Sequence, residues 1–153
     1  MKKLSFVILV MVTLFLTTCS KSGSGVSTPE VSIIGTWKPI KEVDVCSDKS
    51  KTESVYDACQ LQSRYIFTKE GTINITEYHN TQSGCVITNQ SNGTFKINNN
   101  TLVTSIDNEV NVNDFLELNG DVLKVGRYEN ETNNTCSINL LVTHYYTELV
   151  RVN

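Results

Sequence analysis

Tyr65-Ile66-Phe67-Thr68-Lys69-Glu70-Gly71-Thr72-Ile73-Asn74-Ile75 is the stretch on which the fold turns. Tyr65 and Phe67 alternate with other residues before Lys69-Glu70-Gly71, and Ile73 and Ile75 do so after it. Apolar residues at every second position put their side chains on one face of an extended chain. A short polar turn holding a glycine between two such runs predicts a tight antiparallel hairpin. Folded about residue 70, the hairpin sets Phe67 opposite Ile73 and carries Cys59 towards residue 81, a few residues short of Cys85.

The same alternation, bounded by Gly, Asn and Asp, recurs outward in both directions and predicts eight strands. They span 35–45, 62–68, 72–78, 93–97, 101–106, 110–118, 122–128 and 137–152. Asn98-Asn99-Asn100 and Asn119-Gly120 are further tight turns, whereas 46–61, 79–92 and 129–136 are longer connections. In an up-and-down meander alternate connections lie at opposite ends. The spacing therefore predicts an all-β, eight-stranded antiparallel up-and-down barrel with one pinched end and one open end framed by long loops. Closing it pairs the last strand with the first and brings Cys46 to Cys136, while the central hairpin brings Cys59 to Cys85. Two disulfides are thus expected at the open end, each stabilising by roughly 2–4 kcal/mol.

The N-terminus has a different character. Lys2 and Lys3 precede an apolar run, 6–16, and then Leu16-Thr17-Thr18-Cys19. A basic start, a short apolar stretch and small residues define a secretory leader, and the run is too short to span a bilayer. The segment resembles a bacterial lipobox, with Thr18 where Gly, Ala or Ser is usual. The resemblance implies a signal peptide over 1–18, lipidation of Cys19, an acylated flexible linker over 19–30 rich in Ser and Gly, and a folded domain over 31–153. Without Cys19 the chain keeps an even set of cysteines, as disulfides in an oxidising compartment require. No aspartate follows Cys19 and the linker has no acidic run. The outer membrane facing the periplasm is the expected location, with surface display left open.

Ile33-Ile34-Gly35-Thr36-Trp37-Lys38 at the start of the first strand resembles the Gly-x-Trp signature of calycins. The hairpin Tyr65-x-Phe67-Thr68-Lys69-Glu70-Gly71-Thr72, then Cys85, Gly93-Thr94-Phe95 and Leu102, is similar in order and spacing to the lipocalin-like domain of Bacteroidota lipoproteins. The resemblance covers about residues 32–152. It implies a calycin barrel with Trp37 at the closed end and a cavity at the other, and says little about the ligand.

With Lys2 and Lys3 removed, 11 basic residues face 16 acidic ones, a net charge of −5, and no basic stripe offers a nucleic-acid footprint. The four remaining cysteines are too widely spaced for a metal site. His79 and His144 sit in no nucleophile–base motif, so neither catalysis nor a cofactor is expected. His79 reads as a solvated rim residue, His144 as a hydrogen-bonded structural residue or a cavity-lining one, and Glu148 as turned outward. Candidate cavity-lining residues are Trp37, Tyr65, Phe67, Phe95, Leu140, Val142 and His144. The expected function is a membrane-anchored protein binding or sequestering a small apolar or amphipathic ligand. The alternative is a filled barrel whose long loops dock a protein partner or inhibit an enzyme.

Overall fold

Alternation of the kind read above needs a sheet to complete it. A computed structural model describes residues 33–129, 135–137 and 140–152. The leader, Cys19 and the linker lie outside these residues. The described chain forms strands β1 (Gly35–Cys46), β2 (Lys51–Val55), β3 (Arg64–Phe67), β4 (Thr72–Thr81), β5 (Gly84–Asn98), β6 (Thr101–Ile106), β7 (Glu109–Asn113), β8 (Phe115–Asn119), β9 (Val122–Tyr128), β10 (Thr135–Ser137) and β11 (Leu140–Val152). A single 3-10 turn, Gln60–Gln62, precedes β3.

All described pairings are antiparallel, and the hydrogen-bonded order is β7-β6-β5-β4-β3-β1-β11-β9-β8. The first long strand lies against the last, from Thr36 opposite Val152 to Cys46 opposite Val142. The path nevertheless ends on β7 and β8, so the sheet is not closed by a ladder. These two ends are consecutive in the chain and separated by Asp114 alone. Asp114 Oδ1 accepts the backbone N–H of Tyr128 at 2.8 Å, and Arg127 Nη2 donates to Asn111 Oδ1 at 3.2 Å, so side chains link the two sides of the seam.

The expected eight strands become eleven for identifiable reasons. The stretch 110–118 is cut at Asp114: its first half pairs with β6 and its second with β9. Residues 46–61, expected as a loop, contain β2, whose five residues are exposed and carry no apolar alternation. The expected loop 79–92 is largely strand as well. There β4 and β5 pair out to Thr81 opposite Gly84, leaving a tight turn stabilised by Thr81 Oγ1. That arm is mostly exposed, and its few apolar residues, Tyr78, Val86 and Ile87, do not alternate, so no period-2 signal marks it.

The core lies at the end where β1 begins. Trp37, Phe67, Ile73, Phe95, Leu102, Leu116, Leu123 and Leu149 are buried around Ile33. Trp37 is fully buried, and its indole N–H donates to the Ile33 carbonyl at 2.7 Å, which satisfies the polar edge of the ring. The Arg151 guanidinium lies 4.2 Å from the indole centre and donates to the Ile34 carbonyl. A β-carbon at Gly35, where φ is +135°, would stand 2.6 Å from that guanidinium. The Gly-x-Trp start is therefore a plug: the glycine admits the arginine, and the arginine covers the tryptophan. Phe67 and Phe95 pack edge-to-face at 5.1 Å just above it.

Candidate functional site

Two cavities lie one above the other over this plug. The lower, of about 170 Å³, is lined by Tyr65, Phe67, Ile73, Ile75, Leu102, Thr104, Asn113, Val125, Thr147 and Leu149. It is walled chiefly by the apolar residues that alternation put on the inner face. The upper, of about 440 Å³, is polar. Its lining includes Glu42, Tyr56, Gln60, Ser63, Glu77 and His79. Tyr65 and Thr147 border both cavities. Tyr65 and Thr147 thus stand as the shared wall between an apolar chamber and a polar vestibule.

The vestibule exists because β2 and β4 diverge. β2 pairs with β1 alone, from Lys51 opposite Val45 to Val55 opposite Lys41, whereas β4 pairs with β3 only from Ile73 to Thr76. The 3-10 turn sits in the fork, packed on β1 and β4. Asp57 fixes it: Oδ1 accepts the backbone N–H groups of Cys59 and Gln60, and Oδ2 accepts the Asn80 amide. These bonds, that from Gln60 first, hold the Asp57 carboxyl below its usual range. Cys59 is bonded to Cys85, tying the turn to the β4–β5 arm, and Cys46 is bonded to Cys136. Both pairings are those expected, Cys59–Cys85 from the central hairpin and Cys46–Cys136 from the pairing of the last strand with the first.

Two tyrosine–carboxylate pairs dominate the vestibule. Tyr65 donates its hydroxyl to Glu77 Oε1 at 2.6 Å, and Tyr56 donates to Glu42 Oε1 at 2.8 Å. Asn89 donates to the other oxygen of Glu77 at 3.1 Å. Burial, reinforced by the adjoining carboxylate, pushes both phenols well above their usual range, so each keeps its proton as a donor. The pairs also sense one another, since Glu42 acts on Tyr65 and Glu77 on Tyr56.

The seven candidate lining residues divide three ways. Tyr65 and Phe67 line the apolar chamber. Trp37 and Phe95 are buried in the plug beneath it. Leu140, Val142 and His144 of β11 border neither cavity: His144, opposite Val45, faces the other side of the sheet, while Val142 is buried opposite Cys46 beyond a register shift. For His144 the reason is phase: Thr147 and Leu149 of β11 face the cavity, which turns Tyr146 and His144 outward. From His144 onward the alternation in β11 is regular, but apolar side chains occupy both of its faces, so its sequence does not say which face is inside. Before it, the extra residue Thr143 shifts the register. A bulge at Ile40 in β1 matches this by turning Val43 and Val45 outward.

His144 instead joins Phe115, Tyr128 and Tyr146 on the outer face, with its ring 4.7 Å from Phe115 and 5.5 Å from Tyr128. Its Nδ1 lies 3.2 Å from Thr143 Oγ1, and burial, aided by the Lys51 charge, lowers its pKa. Glu148 is also outward, 3.9 Å from Lys41. His79 is exposed at the vestibule rim. Sequence reasoning missed Glu42, Tyr56 and Thr147. Tyr56 and Glu42 carry no periodic signal that would single them out, and Thr147 is concealed by the phase of β11.

Among the described residues no cluster of His, Cys, Asp and Glu is placed to hold a metal ion, and no helix is long and apolar enough to cross a membrane. The described chain is thus an antiparallel β-domain with an apolar chamber, a polar cavity that shares two of its walls, and a buried tryptophan at the base. The chain belongs to the lipocalin-like domain family, whose model matches residues 33–125. The match runs from the plug into β9, so β11, the strand that pairs with β1, lies beyond it. No curated protein matches the chain.

Proposed function

We propose that this protein is a lipid-anchored, non-enzymatic carrier that holds a small amphipathic molecule with its apolar part in the lower chamber and its polar part in the vestibule. The observation that carries the reading is the stacking of the two cavities about Tyr65. Carrier sites are concave and mostly apolar, with a few placed polar groups to fix orientation. The eleven strands read as eight staves if β2 continues into β3, β7 into β8, and β9 into β10. Each of these pairs runs along one flank of the barrel, giving the eight-stranded lipocalin-like form. The filled-barrel docking alternative relied on the long disulfide-tied loops; it has less support because 79–92 lies largely in the β4–β5 hairpin and 46–61 holds β2 and the start of the 3-10 turn.

Cys19 is the proposed attachment point, through acyl chains, to the outer membrane. The described residues begin beside the plug, at Ile33, which supports a linker that joins the closed end and a mouth that points away from the bilayer. A linker of about a dozen residues reaches roughly 40 Å when extended. The leaflet, periplasmic or surface, follows the route of export.

Titration of the delipidated domain with toluene, followed by amide chemical shifts, tests the cavity reading. Shifts should concentrate at Phe67, Ile75, Leu102 and Val125. Ile75→Phe, which fills the chamber, should abolish them and leave the spectrum dispersed. Shifts that are absent from the native protein, or that survive in the filled variant, would refute a binding chamber.

A further inference from the structure

The chemistry of the vestibule specifies the ligand more narrowly than its shape does, and this inference rests on the carrier reading above. The lower chamber, about 170 Å³, is close to the roughly 150 Å³ of an engineered apolar cavity that holds benzene. It has room for one six-membered ring or a short branched alkyl group, and none for a fatty-acyl chain. The ligand therefore has a compact apolar part, and its head stands where Tyr65 and Thr147 separate the two spaces.

At that height the charged side chains in the lining are Glu42 and Glu77, with His79 at the rim, and neither lysine nor arginine is among the described lining residues. Arg64, next to the lining residue Ser63, turns its guanidinium onto the carbonyls of Leu61 and Ser63. The hydrogen-bond inventory points the same way. A phenol has one proton, and those of Tyr65 and Tyr56 are committed to Glu77 and Glu42. What these four groups retain towards a ligand is acceptor capacity: the lone pairs of two phenols and two carboxylates. A carboxylate or phosphate head would meet like charge with no donor from this set. An ammonium supplies up to three donors and a positive charge, and its bonds to carboxylates are of the stronger, charge-assisted kind.

From the ring-sized chamber and the acidic vestibule we infer that the ligand is a small primary amine. Its aryl or short alkyl group fills the chamber, and its ammonium lies between Glu77 and Glu42, with the Tyr65 and Tyr56 oxygens as further acceptors. An anionic head placed there would meet the like charge of both carboxylates. Asn89 and Tyr65 hold Glu77 from both oxygens, which makes it the fixed member of the pair. Glu42 is the more exposed and acts as the outer one.

Three probes of equal ring size test this in the full folded domain by calorimetry and amide shifts: 2-phenylethylammonium, 2-phenylethanol and phenylacetate. The ammonium should bind at least about tenfold more tightly than the alcohol, as a charged hydrogen bond exceeds a neutral one, and phenylacetate should not bind. Glu77→Gln keeps an amide oxygen for Tyr65 but removes the charge. It should weaken ammonium binding at least about tenfold and alcohol binding by less, because the ammonium loses its charge partner as well as an acceptor. Equal binding of ammonium and alcohol in the native protein, or tight ammonium binding in the variant, would overturn the amine assignment while the carrier reading stood. If neither ammonium nor alcohol bound, the carrier reading and the amine assignment would fall together.

Discussion

Gly126 shows how much one residue carries in this sheet. It stands opposite Tyr146 in β11 and Phe115 in β8, and those two rings stack at 5.3 Å. A β-carbon there would run into the Tyr145 carbonyl oxygen and the Tyr146 backbone, which only a shift of the β9–β11 ladder could relieve. Large aromatic neighbours commonly cover a strand glycine in this way, compensating for its missing side chain. Gly126→Ala should therefore destabilise the domain by about 2–3 kcal/mol, the range of an overpacked site. Gly120→Ala makes a fair comparison: φ is +58° and nothing lies within 4 Å of the added carbon. It should cost only about 1 kcal/mol, the left-handed penalty of a side chain. Urea midpoints of the two variants decide the matter, and equal losses would mean that β9 and β11 are less closely apposed at Gly126. At this scale Trp37, Tyr65 and Phe67 were legible in the sequence because each alternates in step with its neighbours on one face. His144 was not, because β11 carries apolar groups on both faces and alternation fixes a period without fixing its phase.

The elements that depart from expectation share one property: they bury little. β2 is exposed along its whole length, and the outer parts of β4 and β5 are mostly so. Hydrogen bonding to a neighbour holds such strands, and that leaves no mark in the hydrophobic pattern. The cysteines were readable because they depend on strand pairing, of the central hairpin for one bridge and of the first strand with the last for the other, rather than on burial. Their bridges act on different elements. Cys46–Cys136 closes a separation of 90 residues and fastens β1 to β10, whereas Cys59–Cys85 closes 26 and fastens the 3-10 turn to the β4–β5 arm. Chain-entropy arguments give about 4.5 and about 3.5 kcal/mol for separations of 90 and 26. The double variant C46S/C136S should thus show the larger loss of stability in urea. C59S/C85S should lose less stability but more ligand affinity, because Gln60 and Ser63 of the vestibule stand beside Cys59. If C59S/C85S bound the amine probe unchanged, the turn would be no part of the site.

Across the whole molecule, β1 and β11 are the spine. Each is long, they pair along almost their entire length, and each has strands on its other edge as well. From this spine the sheet runs out in both directions to β7 and β8, which meet at Asp114 without a ladder between them. The sequence gives no sign of the break. The stretch 110–118 alternates well enough to read as one strand, and a change of hydrogen-bonding partner along a strand depends on sheet curvature rather than on residue type. The consequence is a seam beside the lower chamber, since Asn113 of β7 and Val125 of β9 both line that space. Side chains bridge the seam through Asp114 to Tyr128 and Asn111 to Arg127. Such bridges open more readily than a ladder of backbone bonds, and Val110 and Val112 are already 65 % and 47 % exposed. Native-state hydrogen exchange should therefore find β7 and β8 amides exchanging by local opening, well before those of β1 and β11. Asp114→Ala, which removes the acceptor for Tyr128, should speed exchange at β7 and β8 and leave the β1–β11 spine unchanged. Protection at β7 and β8 equal to that of the spine would mean a cylinder sealed by backbone hydrogen bonds in solution, with entry to the chamber only from above.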